Sequence, residues 1–246
     1  VAGRTIVVSD IHGFNALLEG ALTDAGYSDD DKLVLAGDLV DIGPDDTVST
    51  AESLGATILA GNHEVSAALG LEISPQSEET RKHGRDYARK LQVGQWPLAL
   101  AVEGWLITHG GLSTLFGEEI ERSRGDVDRL AEELNGAFVG EIARFLDGEM
   151  SAYSLGRSRI VGSELGPLWF RAARPELVPG GIRQVVGHTP CELYTPEGLA
   201  VLAAKNFLLI DPGAHLGAAE EGSFRYAVIE NGEARVVNGC AERHRA

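Results

Sequence analysis

The amino-acid sequence predicts an α/β fold, and three observations predict it. Short β-branched runs alternate with amphipathic segments, glycine-led loops follow the runs, and carboxylate, imidazole and amide side chains stand where the runs end. Sheets built from such crossover units gather ligands at the carboxyl ends of their strands.

The first unit is a strand at residues 5–9 that ends in Asp10-Ile11-His12-Gly13, followed by Leu17, Leu18, Ala21, Leu22 and Ala25 at helical spacing. A second strand, 33–36, leads into Gly37-Asp38-Leu39-Val40-Asp41. Pro44-Asp45-Asp46 then opens a helix with a preset φ and carboxylates suited to the positive helix end. A third strand, 57–60, runs into Gly61-Asn62-His63-Glu64, which reads as a loop. Ser77 caps a helix that starts with Glu78 and Glu79 and ends with Arg89 and Lys90, in agreement with the macrodipole at both ends. Its basic face, Arg81, Lys82, Arg85 and Arg89, reads as solvated surface.

Residues 99–102 and 105–108 flank Glu103-Gly104 as a hairpin that delivers His109-Gly110-Gly111. From 126 to 147, Val127, Leu130, Leu134, Phe138, Ile142 and Phe145 describe an amphipathic helix, with a break expected near Gly136 or Gly140. Residues 112–165 are expected as a helical insertion beside the site within one domain spanning 1–246. After a strand at 183–186 and Gly187-His188-Thr189 the chain reads as β-rich, with strands at 199–203, 206–210, 224–230 and 234–237. Asn231-Gly232 joins the last two as a two-residue hairpin.

Composition narrows the function classes. The longest apolar stretch, 98–107, is interrupted by Glu103 and Gly104, which excludes a membrane span there. Thirty-seven acidic against 21 basic side chains give a formal net charge of −16, which repels phosphate backbones and argues against nucleic acid as a partner. Cys191 and Cys240 lack metal-type spacing and read as reduced thiols, and Val1-Ala2-Gly3-Arg4 lacks the regions of a signal peptide. Together these point to a cytoplasmic location.

The motif residues suit a two-metal hydrolytic site. Asp10 and His12 face one ion only if the backbone turns out of the strand, which accounts for Gly13. Asp38 can bridge two ions, and Asn62, His109 and His188 complete the second. Nitrogen and oxygen ligands without thiolate select manganese, iron or zinc, with manganese preferred. Two such ions lower the pKa of a shared water and neutralise phosphate oxygens, so the chain reads as a metal-dependent phosphoester hydrolase. His83, His215 and His244 fall outside the motifs and read as structural or surface. His215, after Asp211-Pro212-Gly213, is the one whose proximity to the site needs a structure.

These motifs resemble the phosphoprotein phosphatase branch of the calcineurin-like metallophosphoesterases, including phage lambda-type and bacterial Shewanella-like phosphatases. The resemblance runs from Asp10 to Leu209-Ile210-Asp211-Pro212-Gly213-Ala214. It implies a β-sandwich of two mixed sheets flanked by helices, in α/β/β/α layers. It further implies Asp10, His12 and Asp38 on a first metal and Asp38, Asn62, His109 and His188 on a second. His63 is then the general acid, with Asp41 orienting it. A protonated imidazole beside a carboxylate is a suitable donor to an alkoxide leaving group.

One position departs from the family loop Gly-Asp-x-x-Asp-Arg-Gly: Ile42 stands where an arginine grips phosphate, and isoleucine makes no bidentate contact. Arg171, in Gly166-Pro167-Leu168-Trp169-Phe170-Arg171, resembles the tryptophan-x-arginine segment of lambda-type and Shewanella-like members. It is the expected substitute, with Asn62 as a second phosphate contact, whereas Arg174 reads as surface. The resemblance implies a dinuclear phosphomonoesterase in which a metal-bridging hydroxide attacks phosphoserine or phosphothreonine, with phosphotyrosine as a further substrate. Its substrate partner is a phosphorylated protein or a small phosphoester. Two other readings stay open: a nucleoside polyphosphate hydrolase of the diadenosine tetraphosphatase type, and a non-catalytic metal- or phosphate-binding module. A nuclease is disfavoured by the charge.

Overall fold

The computed structural model describes residues 3–72 and 74–240. In chain order the elements are β1 (Thr5–Val8), α1 (Asn15–Ala25), β2 (Lys32–Leu35), α2 (Thr47–Ser53), β3 (Thr57–Ile58), α3 (Asn62–Leu69), α4 (Glu78–Gln92), β4 (Ala99–Val102) and β5 (Trp105–Thr108). There follow α5 (Gly117–Ser123), α6 (Val127–Leu146), α7 (Ala152–Leu155), β6 (Gln184–Val186), α8 (Pro196–Ala204), β7 (Phe207–Leu209), α9 (Ala218–Glu221), β8 (Ser223–Glu230) and β9 (Glu233–Cys240).

Side-chain alternation along the strands sets the layers. In β1, Val7 points to one face while Ile6 and Val8 point to the other. Strand β1 pairs in parallel with β2 and antiparallel with β8, giving a five-stranded sheet of order β3-β2-β1-β8-β9. A second sheet has the order β4-β5-β6-β7, with β5, β6 and β7 parallel and β4 antiparallel at the edge. Both sheets are therefore mixed. Val7, Val34, Ala227 and Ile229 of the first meet Trp105, Ile107 and Val185 of the second in one buried cluster. Each valine and isoleucine among them contributes about 1.5–3 kcal/mol when fully buried.

The outer faces are covered by helices. Ile6, Val8, Leu33 and Leu35 join Leu17, Leu18 and Ala21 of α1, while Val186, Phe207 and Leu209 join Leu202 of α8. Helix α6 lies against edge strand β4. There the Asn135 amide accepts from the Ala99 N–H at 2.9 Å and donates to the Ala99 carbonyl at 2.9 Å, satisfying an edge that has no further strand. The result is the α/β/β/α arrangement expected from the resemblance.

Local chemistry explains most element boundaries. Glu103-Gly104 and Asn231-Gly232 both have two positive φ values, 48° and 81° in the first and 55° and 78° in the second, as two-residue hairpins require. Ser77 caps α4 by accepting from the Thr80 N–H at 3.0 Å. The basic residues Arg81, Lys82, Arg85 and Arg89 are exposed, as expected.

Four expectations are corrected. Residues 199–203, read as a strand, lie in helix α8: Pro196 presets its first turn and the Thr195 hydroxyl accepts from the Gly198 N–H at 3.2 Å. A short apolar run without alternation does not distinguish a strand from a helix by itself. Residues after Gly61, read as a loop, begin helix α3 at Asn62. Helix α2 starts at Thr47 rather than at Pro44, with the Asp46 carboxylate capping it from the Ser49 N–H at 3.0 Å. Helix α6 runs unbroken through Gly136 and Gly140, because both face open space and neither interrupts the hydrogen-bond ladder.

Cys191 carries a free thiol. His244, Val1, Ala2 and the side chain of Cys240 lie outside the described residues. Among the described residues no helix is long and apolar enough to cross a membrane.

Because both α6 glycines face open space in helical geometry, Gly136→Ala with Gly140→Ala is expected to stabilise the fold by about 1–2 kcal/mol in sum. Urea unfolding checks this, and a midpoint that stays put or falls contradicts it.

Candidate metal centre

The carboxyl ends of the parallel strands of both sheets meet at one edge of the sandwich. Asp10, Asp38 and Asn62 follow β1, β2 and β3, while His109 follows β5 and His188 lies just beyond β6. Short hydrogen bonds join the two edges. The His188 N–H donates to the Asp10 carboxylate at 2.9 Å, and the His109 Nδ1 lies 3.0 Å from the Ala36 carbonyl. A Cβ at position 187 would collide with that carboxylate, and one at 61 with Asp38, so both positions require glycine for close approach.

Asp10 (φ 53°), His12 (49°), Asp38 (54°), Asp41 (70°) and His188 (63°) all adopt left-handed backbone. Each such residue costs about 1–3 kcal/mol and persists only where its surroundings over-determine it. Here the Asp10 N–H donates to the Gly37 carbonyl at 3.1 Å and the His12 N–H to the Asp38 carbonyl at 3.0 Å. Glu64, fully buried, accepts from the N–H groups of Asp38 at 3.0 Å, Leu39 at 2.8 Å and Gly61 at 3.0 Å. Burial and nearby Asp38 push its carboxyl up, while the Leu39 and Asp38 N–H groups pull it down.

The imidazoles are oriented by their far nitrogens. His12 Nδ1 lies 3.0 Å from the Val40 carbonyl and His109 Nδ1 lies 3.0 Å from the Ala36 carbonyl. A carbonyl only accepts, so both Nδ1 atoms donate and each ring turns its Nε2 to the cluster, the carbonyl behind it fixing the ring as in metal-ligating histidines. Two groups result, Asp38 with His109 and His188, and Asp38 with His12 and His63. Within each group the ligand atoms lie within 4.8 Å of one another. Asp38 belongs to both.

Convergence of this kind tests the fit of a metal. His109 Nε2 faces Asp38 Oδ2 at 3.2 Å and Asn62 Oδ1 at 2.9 Å. With Nδ1 already donating, only a positive charge at Nε2, a proton or a metal ion, makes that approach favourable. Carboxylate, imidazole and amide oxygen without thiolate form a donor set suited to divalent transition ions, so the residues fit.

Electrostatics follow the same geometry. Burial pushes the Asp38 carboxyl up, but His109 and His63 outweigh it and hold the group well below the usual range. Burial lowers His109, but Asp38 outweighs that and raises it to about 10. For His63 burial again lowers, while Asp38 and the Asp41 hydrogen bond raise the ring to about 9. His188 is held well below its ordinary value by burial and by His109, so its ring is neutral. Burial raises Asp10.

His63 Nδ1 lies 2.6 Å from Asp41 Oδ2, and the His63 backbone N–H donates to Asp38 Oδ1 at 3.0 Å. Asp41 is fixed in turn by the Ser77 N–H at 2.7 Å, so the N-terminus of α4 orients the pair. His63 Nε2 stands 3.9 Å from Asp38 Oδ2.

A cavity of about 400 Å³ opens over the cluster, lined by Asp10, His12, Asp38, Asn62, His63 and His188. Ile42, Trp169, Arg171 and His215 also line it. Arg171 donates to the His188 carbonyl at 2.9 Å. Arg174 lines a neighbouring cavity that shares Trp169, Arg171 and His188. A larger cavity, about 820 Å³, opens beside the starts of β1 and β2 and contains no histidine, so the ligand chemistry lies in the smaller one.

All the motif residues singled out in the sequence thus meet at one place, and two further residues join them. Glu64, read only as part of a loop, stands three positions after Gly61, and that helix-cap spacing is the signal that could have singled it out. His215, read as structural or surface, lines the cavity with its ring centroid 6.0 Å from that of His12. Burial and His12 push it down, so it is neutral. His83 is at the surface, 3.4 Å from Glu79.

The fold and the ligand cluster define a two-metal phosphoesterase class. The family model described as calcineurin-like phosphoesterase matches residues 3–204, and the chain belongs to that family. It is by that membership a metal-dependent phosphatase of a family whose centres are dinuclear. Among solved structures, the cold-active protein-tyrosine phosphatase of a psychrophilic Shewanella species is similar at 18% identity with a TM-score of 0.63, over 98% of this chain and 78% of that one. A provisionally assigned diadenosine tetraphosphatase is similar at 23% identity with a TM-score of 0.52, over 98% of this chain and 96% of that one. At these identities the likeness concerns the fold. A search among curated proteins finds no match.

In the metal-free protein the His63 ring is expected to titrate near 9, above its ordinary 6.5. The stability this contributes is fully present below the ordinary value and is lost as pH rises through the folded one. Asp41→Asn removes a hydrogen bond and a charge that favour the protonated ring, so its titration should move down toward 6.5. Ring-proton NMR across the range checks this, and an unmoved titration removes Asp41 as a cause.

Proposed function

We propose that the chain is a dinuclear-metal phosphomonoesterase of the protein-phosphatase type, releasing inorganic phosphate from phosphoserine or phosphothreonine and also from phosphotyrosine. The observation that carries this reading is the His63 and Asp41 pair, an imidazole with a raised pKa bonded at 2.6 Å to a carboxylate beside the ligand cluster. In this reading 1–246 is one domain with 112–165 as an insertion, the location is cytoplasmic and manganese is the preferred metal, with iron or zinc as substitutes.

Asp10, His12 and Asp38 would hold one ion, and Asp38, Asn62, His109 and His188 the other. Bound ions supply the charge that activates a water and neutralises phosphate oxygens. The chain's own residues do the rest. His63, protonated at neutral pH, holds its proton at Nε2 for the departing alkoxide, a strong base that needs one. Asp41 accepts from Nδ1 and keeps the ring charged and aimed. Asn62 and Arg171 contact the phosphate, and Arg171 keeps N–H groups in hand beyond the one on the His188 carbonyl.

A second reading, a nucleoside polyphosphate hydrolase of the diadenosine tetraphosphatase type, is favoured by one observation. Ile42 is 54% exposed on the cavity wall, where an arginine would grip a monoester dianion. Assay with manganese on p-nitrophenyl phosphate, phosphoserine and phosphotyrosine peptides and diadenosine tetraphosphate separates the readings. Phosphate release from the first three is expected; turnover of the last alone would favour the second reading, and none at all a binding module.

His63→Asn should lower kcat by ~10²–10⁴-fold, the usual contribution of a general acid, with metal content unchanged. Loss of metal in that variant would place His63 among the ligands. Arg171→Ala should raise KM more than it lowers kcat, and an unchanged KM would return Arg171 to the surface.

A further inference from the structure

Once the groups already engaged are set aside, few residues on the cavity wall can meet a substrate. Asp10, His12, Asp38, Asn62 and His188 belong to the ligand cluster, and His63 is the proton donor. Ile42 and Pro75 present only carbon. The Trp169 indole N–H is committed to the Val161 carbonyl at 2.8 Å, and the Ser74 hydroxyl to Ser66 at 2.9 Å. Among the described residues lining this cavity, and beside the Asn62 amide already assigned to the phosphate, Arg171 and His215 are then the side chains with N–H groups left to offer.

Their placement is complementary. Arg171 is tied to His188, at one end of the ligand cluster. His215 sits edge-on to His12, which belongs to the other ligand group, with an interplanar angle of 81°. Its turn is built rather than loose: Gly213 (φ 77°) and Gly217 (φ 109°) bracket it in left-handed backbone, and Ala214 is buried beneath it. His215 itself is exposed, and no described protein group hydrogen-bonds its ring.

A phosphate monoester presents three terminal oxygens, and with isoleucine at 42 this wall carries one guanidinium. We propose that His215 is a substrate-binding residue whose ring N–H donates to a terminal phosphate oxygen on the His12 side of the cavity. With Arg171 it does the work of the guanidinium absent at position 42. This inference rests on the phosphatase reading above.

The test compares manganese-loaded wild type with His215→Phe, which keeps a ring edge against His12 but no donor, and His215→Gln, which keeps an N–H. Inorganic phosphate binding is measured by calorimetry, KM and kcat on p-nitrophenyl phosphate, and metal by elemental analysis. His215→Phe should weaken phosphate binding and raise KM roughly 10-fold or more, the effect of losing a hydrogen bond to a charged group, with metal content unchanged. His215→Gln should recover most of both. The inference is overturned if His215→Phe matches wild type in phosphate affinity and KM, if it loses metal, or if His215→Gln is as impaired as His215→Phe. A wild type that turns over substrate while these variants behave alike removes His215 only. A wild type that neither binds phosphate nor hydrolyses any ester removes the phosphatase reading and His215 with it.

Discussion

One buried carboxylate organises this molecule. Asp38 is almost wholly removed from solvent, where burial alone would neutralise it, yet His109, His12 and His63 face its Oδ2 at 3.2, 3.8 and 3.9 Å. Their attraction outweighs desolvation and keeps the group charged, and the charge in turn raises His109 and His63. Nothing in this arrangement is satisfied one residue at a time. Remove the carboxylate and His109 and His63 lose the charge that stabilises their protonated forms; remove the imidazoles and the carboxylate has no reason to stay ionised.

Holding that arrangement is expensive for the backbone. Five site residues in left-handed conformation together cost an amount on the order of the whole net stability of a domain. The scaffold offsets this with two sheets packed face to face and helices on both outer faces, so the strand ends have little freedom to relax. Glu64 serves as a clamp, fixing the Asp38 loop and the start of α3 through one side chain. The same economy appears at Ser77, whose hydroxyl caps α4 while its N–H positions Asp41.

The strands carrying Asp10, Asp38, His109 and His188 were legible because each is a short apolar run stopped by a polar ligand, and that pattern is local. So were the two glycine hairpins and the Ser77 cap. What escaped was in part local, such as the caps at Asp46 and Thr195, and in part dependent on contacts far away in sequence. Residues 199–203 lack alternation, and their helix shows only through the Thr195 cap and the surface of β7 that receives Leu202. Gly136 and Gly140 looked like breaks because glycine weakens helices, but packing of Leu134, Phe138 and Ile142 on the other face overrides so small a penalty. His215 carried no motif, and only the turn after β7 sets it beside His12.

By itself, then, the chain marked the strands that end at the site, the two glycine hairpins and the side chains with the donor chemistry of metal ligands, since these follow from spacing, φ preference and donor chemistry within a few residues. The tertiary structure alone decided that Asp38 stands between two ligand groups, that Glu64 and Ser77 hold the site's backbone, and that His215 shares a wall with Arg171. Those facts depend on which strand ends are brought together across the two sheets, and that is a property of the packed core rather than of any segment in it.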